Sequence, residues 1–135
     1  MNIMITGANR GLGYELAQKF AEQGHRVAAG YFTGVPFNKL KALSEKHGSS
    51  MILLPLDVTK EEDIAAAAVV LREKLYPVDA VISNAGILCD HDRENEVLDM
   101  LASNLRSSLE VNLIGPALVI RYFYPLMKKT GKALL

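Results

Sequence analysis

Three glycines near the start of the chain have a spacing that suits phosphate binding. They lie in the segment Thr6-Gly7-Ala8-Asn9-Arg10-Gly11-Leu12-Gly13 and follow the pattern Gly-x-x-x-Gly-x-Gly. Glycine permits a tight turn, lets backbone approach a pyrophosphate, and allows a helix to pack close to the preceding strand. The start of that helix then offers unpaired N–H groups to an anion. A glycine-rich turn alone fits a phosphate cradle or a plain tight turn.

Other polar residues follow later apolar runs, at positions where strands of a parallel sheet would end. Asp57 lies in Leu56-Asp57-Val58, Asn84 opens Asn84-Ala85-Gly86, and Asn112 lies in Val111-Asn112-Leu113-Ile114-Gly115. Each has an ordinary structural alternative. Asp57 could cap the next helix, Asn84 could be a turn residue, and Asn112 could be a satisfied polar group on a partly buried helix.

Short apolar runs alternate with helical patterns, which predicts the elements that position these residues. The predicted strands are Asn2–Thr6, Arg26–Tyr31, Met51–Val58, Val78–Ser83 and the start of a fifth at Lys132–Leu135. Predicted helices follow the glycine segment and cover Phe37–His47, a stretch opened by a capping box at Thr59–Glu62, and roughly Val97–Lys129. The alternation predicts an α/β fold, a Rossmann-like doubly wound parallel sheet. Pro55 suits strand three at an edge of that sheet.

The glycine segment resembles the cofactor loop of the short-chain dehydrogenase/reductase family, and the three polar motifs match family landmarks in the same order. The resemblance covers the chain from Asn2 to Leu135 and identifies residues 1–135 as an incomplete NAD(P)-binding Rossmann domain that stops within strand five. It implies that Asn112 supports the proton relay. It implies cofactor binding by Gly7, Asn9, Arg10, Gly11, Leu12, Gly13, Tyr31, Asp57, Val58, Asn84, Ala85 and Gly86.

The end of the second strand indicates which nicotinamide cofactor is preferred. In NAD-selective dinucleotide folds an acid there bonds the ribose 2′-hydroxyl, whereas a nearby arginine accommodates a 2′-phosphate. Tyr31 occupies the acid's place, no carboxylate follows it in Phe32 or Thr33, and Arg10 lies in the glycine loop. Arg10 could also be a solvated loop charge. The pattern favours NADP over NAD.

The family's chemistry requires a serine and a Tyr-x-x-x-Lys pair that follow strand five. The chain contains one Tyr-x-x-x-Lys match, Tyr124 to Lys128. Lys128 would lie about 24 Å along a helix from Asn112, at the sheet edge opposite the ligand, and we interpret the two as helix-end residues. We therefore expect a family enzyme that moves hydride between NADP(H) and a carbonyl or alcohol, present as its cofactor-binding half and inactive as given. The alternatives are a non-catalytic nucleotide-binding module and a structural fragment.

Composition excludes several other classes. Fifteen basic residues balance fifteen acidic ones, which gives no field for nucleic acid, and no apolar run approaches the ~20 residues of a membrane span. The single cysteine, Cys89, suits a reducing cytoplasm. Cys89-Asp90-His91-Asp92 carries metal-ligand residue types, but four consecutive residues cannot converge on one ion, so no metal site is predicted. His25 and His47 fit ordinary surface positions. A homo-oligomer is expected, through Leu109, Leu113, Ala117 and Ile120 on the long helix.

Overall fold

The protein is described from a computed structural model, which covers residues 1–89 and 99–134. Asp90, His91, Asp92, the predicted helix start at Val97, and Leu135 lie outside these residues. The described chain forms a five-stranded parallel sheet in the order β3-β2-β1-β4-β5. Its strands are β1 (Asn2–Ile5), β2 (Arg26–Tyr31), β3 (Met51–Pro55), β4 (Val78–Ile82) and β5 (Met127–Leu134).

Helices connect successive strands and cover both faces of the sheet. They are α1 (Gly11–Glu22), α2 (Asn38–His47), α3 (Glu61–Lys74), α4 (Ala102–Leu109) and α5 (Gly115–Phe123). A π-helical turn (Glu110–Ile114) joins α4 to α5, and a 3₁₀ turn (Tyr124–Leu126) joins α5 to β5. The predicted doubly wound α/β fold is confirmed, including strand three at an edge of the sheet.

Alternating side chains of the strands divide the core between the two faces. Ile3 and Ile5 of β1 pack with Ala17 of α1 and Leu40 of α2 on one face. Met4 points to the other face, where its cluster includes α3 and α5 residues, among them Ile64, Leu71, Val119 and Phe123. The period of two along a strand makes this division possible. Apolar side chains and helices therefore cover both faces of the sheet, as is typical of a parallel sheet.

The order of the strands places a crevice at the centre of the sheet. The chain winds from β1 outward through β2 to β3, then returns across the sheet to β4 on the other side of β1. Connections leave β1 and β4 toward opposite faces, so the carboxyl ends of these two paired strands form the switch point of the sheet, which we call the crevice. Ligands of open α/β sheets bind at this kind of switch point.

Two local predictions are wrong. The capping box at Thr59–Glu62 does not form, because the Thr59 hydroxyl and N–H both donate to Asp57 Oδ1, at 2.7 and 3.0 Å, and α3 begins at Glu61. The helix predicted to reach Lys129 ends at Phe123, and β5 begins at Met127 instead of Lys132. Pro125 lies in the intervening 3₁₀ turn. Lys128 is therefore a strand residue and not a helix end.

Candidate functional site

The glycine segment forms the turn between β1 and α1. Gly7 and Gly11 adopt positive φ angles of 67° and 55°, a conformation that residues with a side chain rarely adopt. α1 begins at Gly11, and the side chain of the residue before it, Arg10, makes no capping hydrogen bond in the described part of the chain. A Cβ built on Gly11 would meet no atom within 4 Å. The space beside Gly11 is therefore open, and the first turn of an α-helix has N–H groups without intrahelical partners, which an anion can bond.

Close packing between β1, α1 and the end of β4 explains the other two glycines. A Cβ on Gly7 would lie 2.7 Å from Ala85 Cα. A Cβ on Gly13 would overlap the Gly7 carbonyl oxygen and the Asn84 amide nitrogen. Neither position has room for a side chain, so these glycines let α1 and the end of β4 approach the turn.

Thr6 links the ends of the two central strands. Its side chain is fully buried, and Oγ1 accepts hydrogen bonds from the backbone N–H groups of Asn84 and Ala85, each at 3.0 Å. In return, Asn84 Nδ2 donates to the carbonyl oxygens of Thr6 and Gly7, both at 3.1 Å. We call Thr6, Gly7, Gly13, Asn84 and Ala85 the crevice floor. Asn84 is thus a bridging residue between strands, beyond a simple turn.

Asn9 joins the glycine turn to the end of β2. Its Oδ1 accepts from the N–H of Phe32 at 2.7 Å, and its Nδ2 donates to the Phe32 carbonyl oxygen at 2.9 Å. Nearby, the Ala8 N–H donates to the Gly30 carbonyl at 2.8 Å. We call the pair of bonds from Asn9 to Phe32 the Asn9 clamp. Asn9 is 8% exposed, and both polar atoms of its side-chain amide bond protein backbone.

The end of β2 carries aromatic and hydroxyl side chains. Tyr31 is half-buried and stacks on Phe37, with ring centroids 4.3 Å apart. Phe32 and Thr33 follow on an exposed turn. Arg10 is also exposed. An aromatic residue, Tyr31, therefore occupies the position of the NAD-selective acid, and Arg10 lies on the neighbouring turn.

Asp57 and Val58 lie in the segment that follows β3, so the strand is shorter than the predicted Met51–Val58. Asp57 Oδ1 accepts from Thr59, and the Asp57 N–H donates to Asp63 Oδ2 at 3.1 Å. Val58 is buried, and a Cβ on Gly115 would lie 2.9 Å from its Cγ2. The Asp57 carboxylate thus holds the turn before α3 and does not cap the helix, whose N-cap position, Lys60, makes no side-chain capping bond. Contact of this segment with an adenine stays a prediction.

Asn112 lies in the π-helical turn and pairs with the segment that leaves β4. Its Oδ1 accepts from the Ile87 N–H at 2.9 Å, and its Nδ2 donates to the Ile87 carbonyl at 2.8 Å. A Cβ on Gly86 would lie 3.4 Å from Asn112 Oδ1. Asn112 therefore fixes the Asn84–Ile87 segment, and support of a proton relay stays a prediction.

The Tyr124 and Lys128 pair lies at the opposite sheet edge. Val78, at the start of β4, is in register with Met127, the residue before Lys128. Lys128 Nζ contacts Asp79 Oδ1 at 2.6 Å, and the Asn2 N–H donates to Asp79 Oδ2 at 2.7 Å. The Lys128 ammonium, followed by the Asn2 N–H, lowers the pKa of Asp79. The lysine serves an ion pair at the amino-terminal ends of the strands.

The remaining candidates also lie outside the crevice floor. Cys89 Sγ is 3.9 Å from the Asn104 carbonyl oxygen and 4.0 Å from Ser108 Oγ. His25 Nδ1 is 3.2 Å from the amino terminus, and His47 lies at the end of α2. Within residues 1–89 and 99–134, no group of three His, Cys, Asp or Glu side chains could hold a metal ion. No helix in the same part of the chain is long and apolar enough to cross a membrane.

The sequence predicted most of these residues but not the groups to which they hydrogen-bond. Thr6 was in the motif but was not predicted as a site residue, although a threonine at the end of β1 can reach the neighbouring strand. Phe32 and Ile87 contribute backbone groups, which leave no signature in the sequence. The crevice floor, the open space beside Gly11 and the exposed Arg10 all lie in or beside the glycine turn, and cofactor contacts there stay a prediction.

Comparisons with known proteins agree with this geometry. The family model described as enoyl-(acyl carrier protein) reductase matches residues 7–135. The short-chain dehydrogenase anuI of Penicillium roqueforti is 31% identical over 128 residues, which are 93% of this chain and 49% of that protein. An NADPH-dependent pterin aldehyde reductase of Arabidopsis thaliana is 31% identical over 127 residues, which are 93% of this chain and 50% of that protein. The chain therefore spans about half the length of these curated relatives.

A solved structure shows the same fold in three dimensions. A short-chain dehydrogenase/reductase of Burkholderia multivorans with bound NADP superposes with a TM-score of 0.86 at 25% identity. The match covers 97% of this chain and 55% of that one. Serine dehydrogenase of Escherichia coli, at 22% identity and a TM-score of 0.80, shares the fold.

Proposed function

The chain belongs to the short-chain dehydrogenase/reductase family of oxidoreductases, and from this premise we propose that it binds NADP(H) in an enzyme that moves hydride between NADP(H) and a small carbonyl or alcohol substrate. The observation that carries the proposal is the open start of α1 above the crevice floor. Gly11 leaves space there, while Gly7 and Gly13 have no room for side chains. NADP(H), when bound, would supply or accept the hydride.

The residues of this chain would hold the cofactor in distinct ways. The N–H groups at the start of α1 would bind the pyrophosphate. Thr6 and Asn84 would keep the ends of β1 and β4 at a fixed separation, because four hydrogen bonds join them. Asp57 and Val58 would flank the adenine, since they follow β3 at the same sheet edge.

The preference for NADP over NAD rests on charge. No carboxylate stands at Tyr31 to accept a bond from a ribose 2′-hydroxyl, and Arg10 offers an exposed guanidinium on the adjacent turn. Two relatives support this choice, one NADPH-dependent and one with bound NADP. Arginine is suited to phosphate because its planar donors match phosphate oxygens.

Calorimetric titration of NADP⁺ and NAD⁺ into the 135-residue chain tests the proposal. We expect tighter binding of NADP⁺, and Arg10→Gln should remove most of the difference. Arg72→Gln, an exposed arginine near the end of α3, controls for the loss of one positive charge. Equal or tighter binding of NAD⁺ by the unmodified chain would contradict the cofactor assignment.

The second candidate function is a nucleotide-binding module without catalysis. The position of Tyr124 and Lys128 supports this candidate. The single Tyr-x-x-x-Lys match lies at the edge opposite the crevice, so these 135 residues place no such pair beside the cofactor. We expect no NADPH oxidation by this chain with quinones, aldehydes or ketones. Turnover that Tyr124→Phe abolishes would show that the active site is at the other edge.

A further inference from the structure

We propose that Asn9 is a positioning residue for cofactor choice, which acts by clamping Phe32 and so holds together the two turns that recognise a 2′-phosphate. This inference rests on the proposed NADP(H) binding. Both polar atoms of the Asn9 side chain bond the Phe32 backbone, and the residue is 8% exposed. We therefore assign its role to the two segments that it joins.

The clamp connects the residues just before two exposed polar side chains. Arg10 follows Asn9 in the glycine turn, and Thr33 follows Phe32 in the turn after β2. Both are exposed, and β1 and β2 are neighbours in the sheet with Ile5 opposite Ala29. Two bonds between one amide and one residue's N–H and C=O fix both the separation and the orientation of these turns. The clamp therefore fixes the backbones of Arg10 and Thr33 relative to each other, and both side chains would be available to a 2′-phosphate bound at these turns.

The clamp is suited to mutation because one of its ends is a surface residue, Phe32, which is 43% exposed. A single intramolecular hydrogen bond contributes only modestly to net stability. Asn9→Ala should therefore fold, while the two turns lose their fixed relation.

The test compares binding of NADP⁺ and NAD⁺ to Asn9→Ala by calorimetry. We expect NADP⁺ affinity to fall roughly tenfold, the effect of a lost charge-assisted contact, with a much smaller change for NAD⁺. Thr33→Val should reduce the same preference, and Thr33→Ser should retain it. ADP-ribose with and without a 2′-phosphate serves as a second probe pair, which has no nicotinamide and so cannot turn over.

Asn2→Ala is the matched control. Asn2 Nδ2 also donates two hydrogen bonds to backbone, to the carbonyls of Leu75 and Pro77 at 3.0 Å each, at the opposite sheet edge. Its loss should leave the ratio of the two affinities unchanged. If the unmodified chain prefers NADP⁺ and Asn9→Ala keeps that ratio, the positioning role is wrong and the proposed function stands. If the unmodified chain lacks the preference, both fail together.

Discussion

Asn112 and Ile87 are joined through both hydrogen-bonding groups of the Ile87 backbone. The Asn112 amide accepts from the N–H at 2.9 Å and donates to the carbonyl at 2.8 Å. Asn9 makes the same arrangement with Phe32 on the other side of the glycine turn. The segments that follow β2 and β4 are therefore each held by one asparagine from a neighbouring element.

The Asn112 pair predicts a measurable loss of stability. Asn112→Ala removes two hydrogen bonds, each worth roughly 0.5–1.5 kcal/mol net, so the free energy of unfolding should fall by about 1–3 kcal/mol. Urea denaturation followed by circular dichroism measures it. Asn112→Asp should not restore stability, because a carboxylate accepts from the Ile87 N–H but repels its carbonyl oxygen. Full stability of the aspartate variant would contradict the two-bond arrangement.

Thr6 predicts a larger effect from an isosteric change. Thr6→Val fills the same volume but leaves the N–H groups of Asn84 and Ala85 without their acceptor. Each unsatisfied buried donor costs about 1–3 kcal/mol, so for two donors we expect a loss of roughly 2–6 kcal/mol. Thr6→Ser keeps the oxygen and should lose much less. Equal destabilisation by serine and valine would mean that packing of the methyl group, and not the hydroxyl, joins the strands.

Asp79 predicts a pH dependence. Lys128, with the Asn2 N–H, lowers the pKa of Asp79 in the folded state. The carboxylate's contribution is therefore complete above its unfolded pKa, about 3.9, and is lost as pH falls through the folded pKa. Asp79→Asn should be less stable than the unmodified chain at neutral pH, and the gap should close in acid. Lys128→Met should weaken this pH dependence; an unchanged dependence would show that Lys128 is not its cause.

Exposed apolar side chains on α4 and the π-helical turn predict self-association. Leu105, Leu109 and Leu113 are four residues apart, and Leu113 is 62% exposed. Burial of such side chains against a second copy is favourable by about 25 cal/mol per Å². Light scattering should detect a dimer or larger species, which Leu113→Asp disrupts. Val69→Asp, on the exposed side of α3, should leave it intact. A monomer at tens of micromolar would contradict the prediction.

The first four strands could be predicted because each contains a short apolar run. Pro55 also correctly indicated the edge position of strand three. The start of β5 could not be predicted, because Lys128 and Lys129 continue a polar helical pattern and only the pairing with β4 makes them strand. The predicted capping box fails for a similar reason. The Thr59 hydroxyl bonds Asp57, and the sequence pattern does not reveal that contact.

The candidate site could be located from the sequence but its connections could not. The glycine spacing and the positions of Asn84 and Asn112 predicted which turns meet at the crevice. The two asparagine clamps depend on the backbone of Phe32 and Ile87, and any residue type could provide those groups. A three-dimensional structure is needed to see that Asn9 contacts protein backbone.

A comparison of Gly11→Ala with Gly24→Ala tests dinucleotide binding at the start of α1 most directly. Both glycines have positive φ, 55° and 78°, and a Cβ on either meets no atom within 4 Å. Each substitution should cost a similar ~1–2 kcal/mol of backbone strain. Only the methyl group introduced at position 11 would occupy the open space at the start of α1. NADP⁺ affinity measured by calorimetry should therefore fall at least ~10-fold in Gly11→Ala and stay unchanged in Gly24→Ala. Equal NADP⁺ affinity in the two variants would contradict binding at this turn.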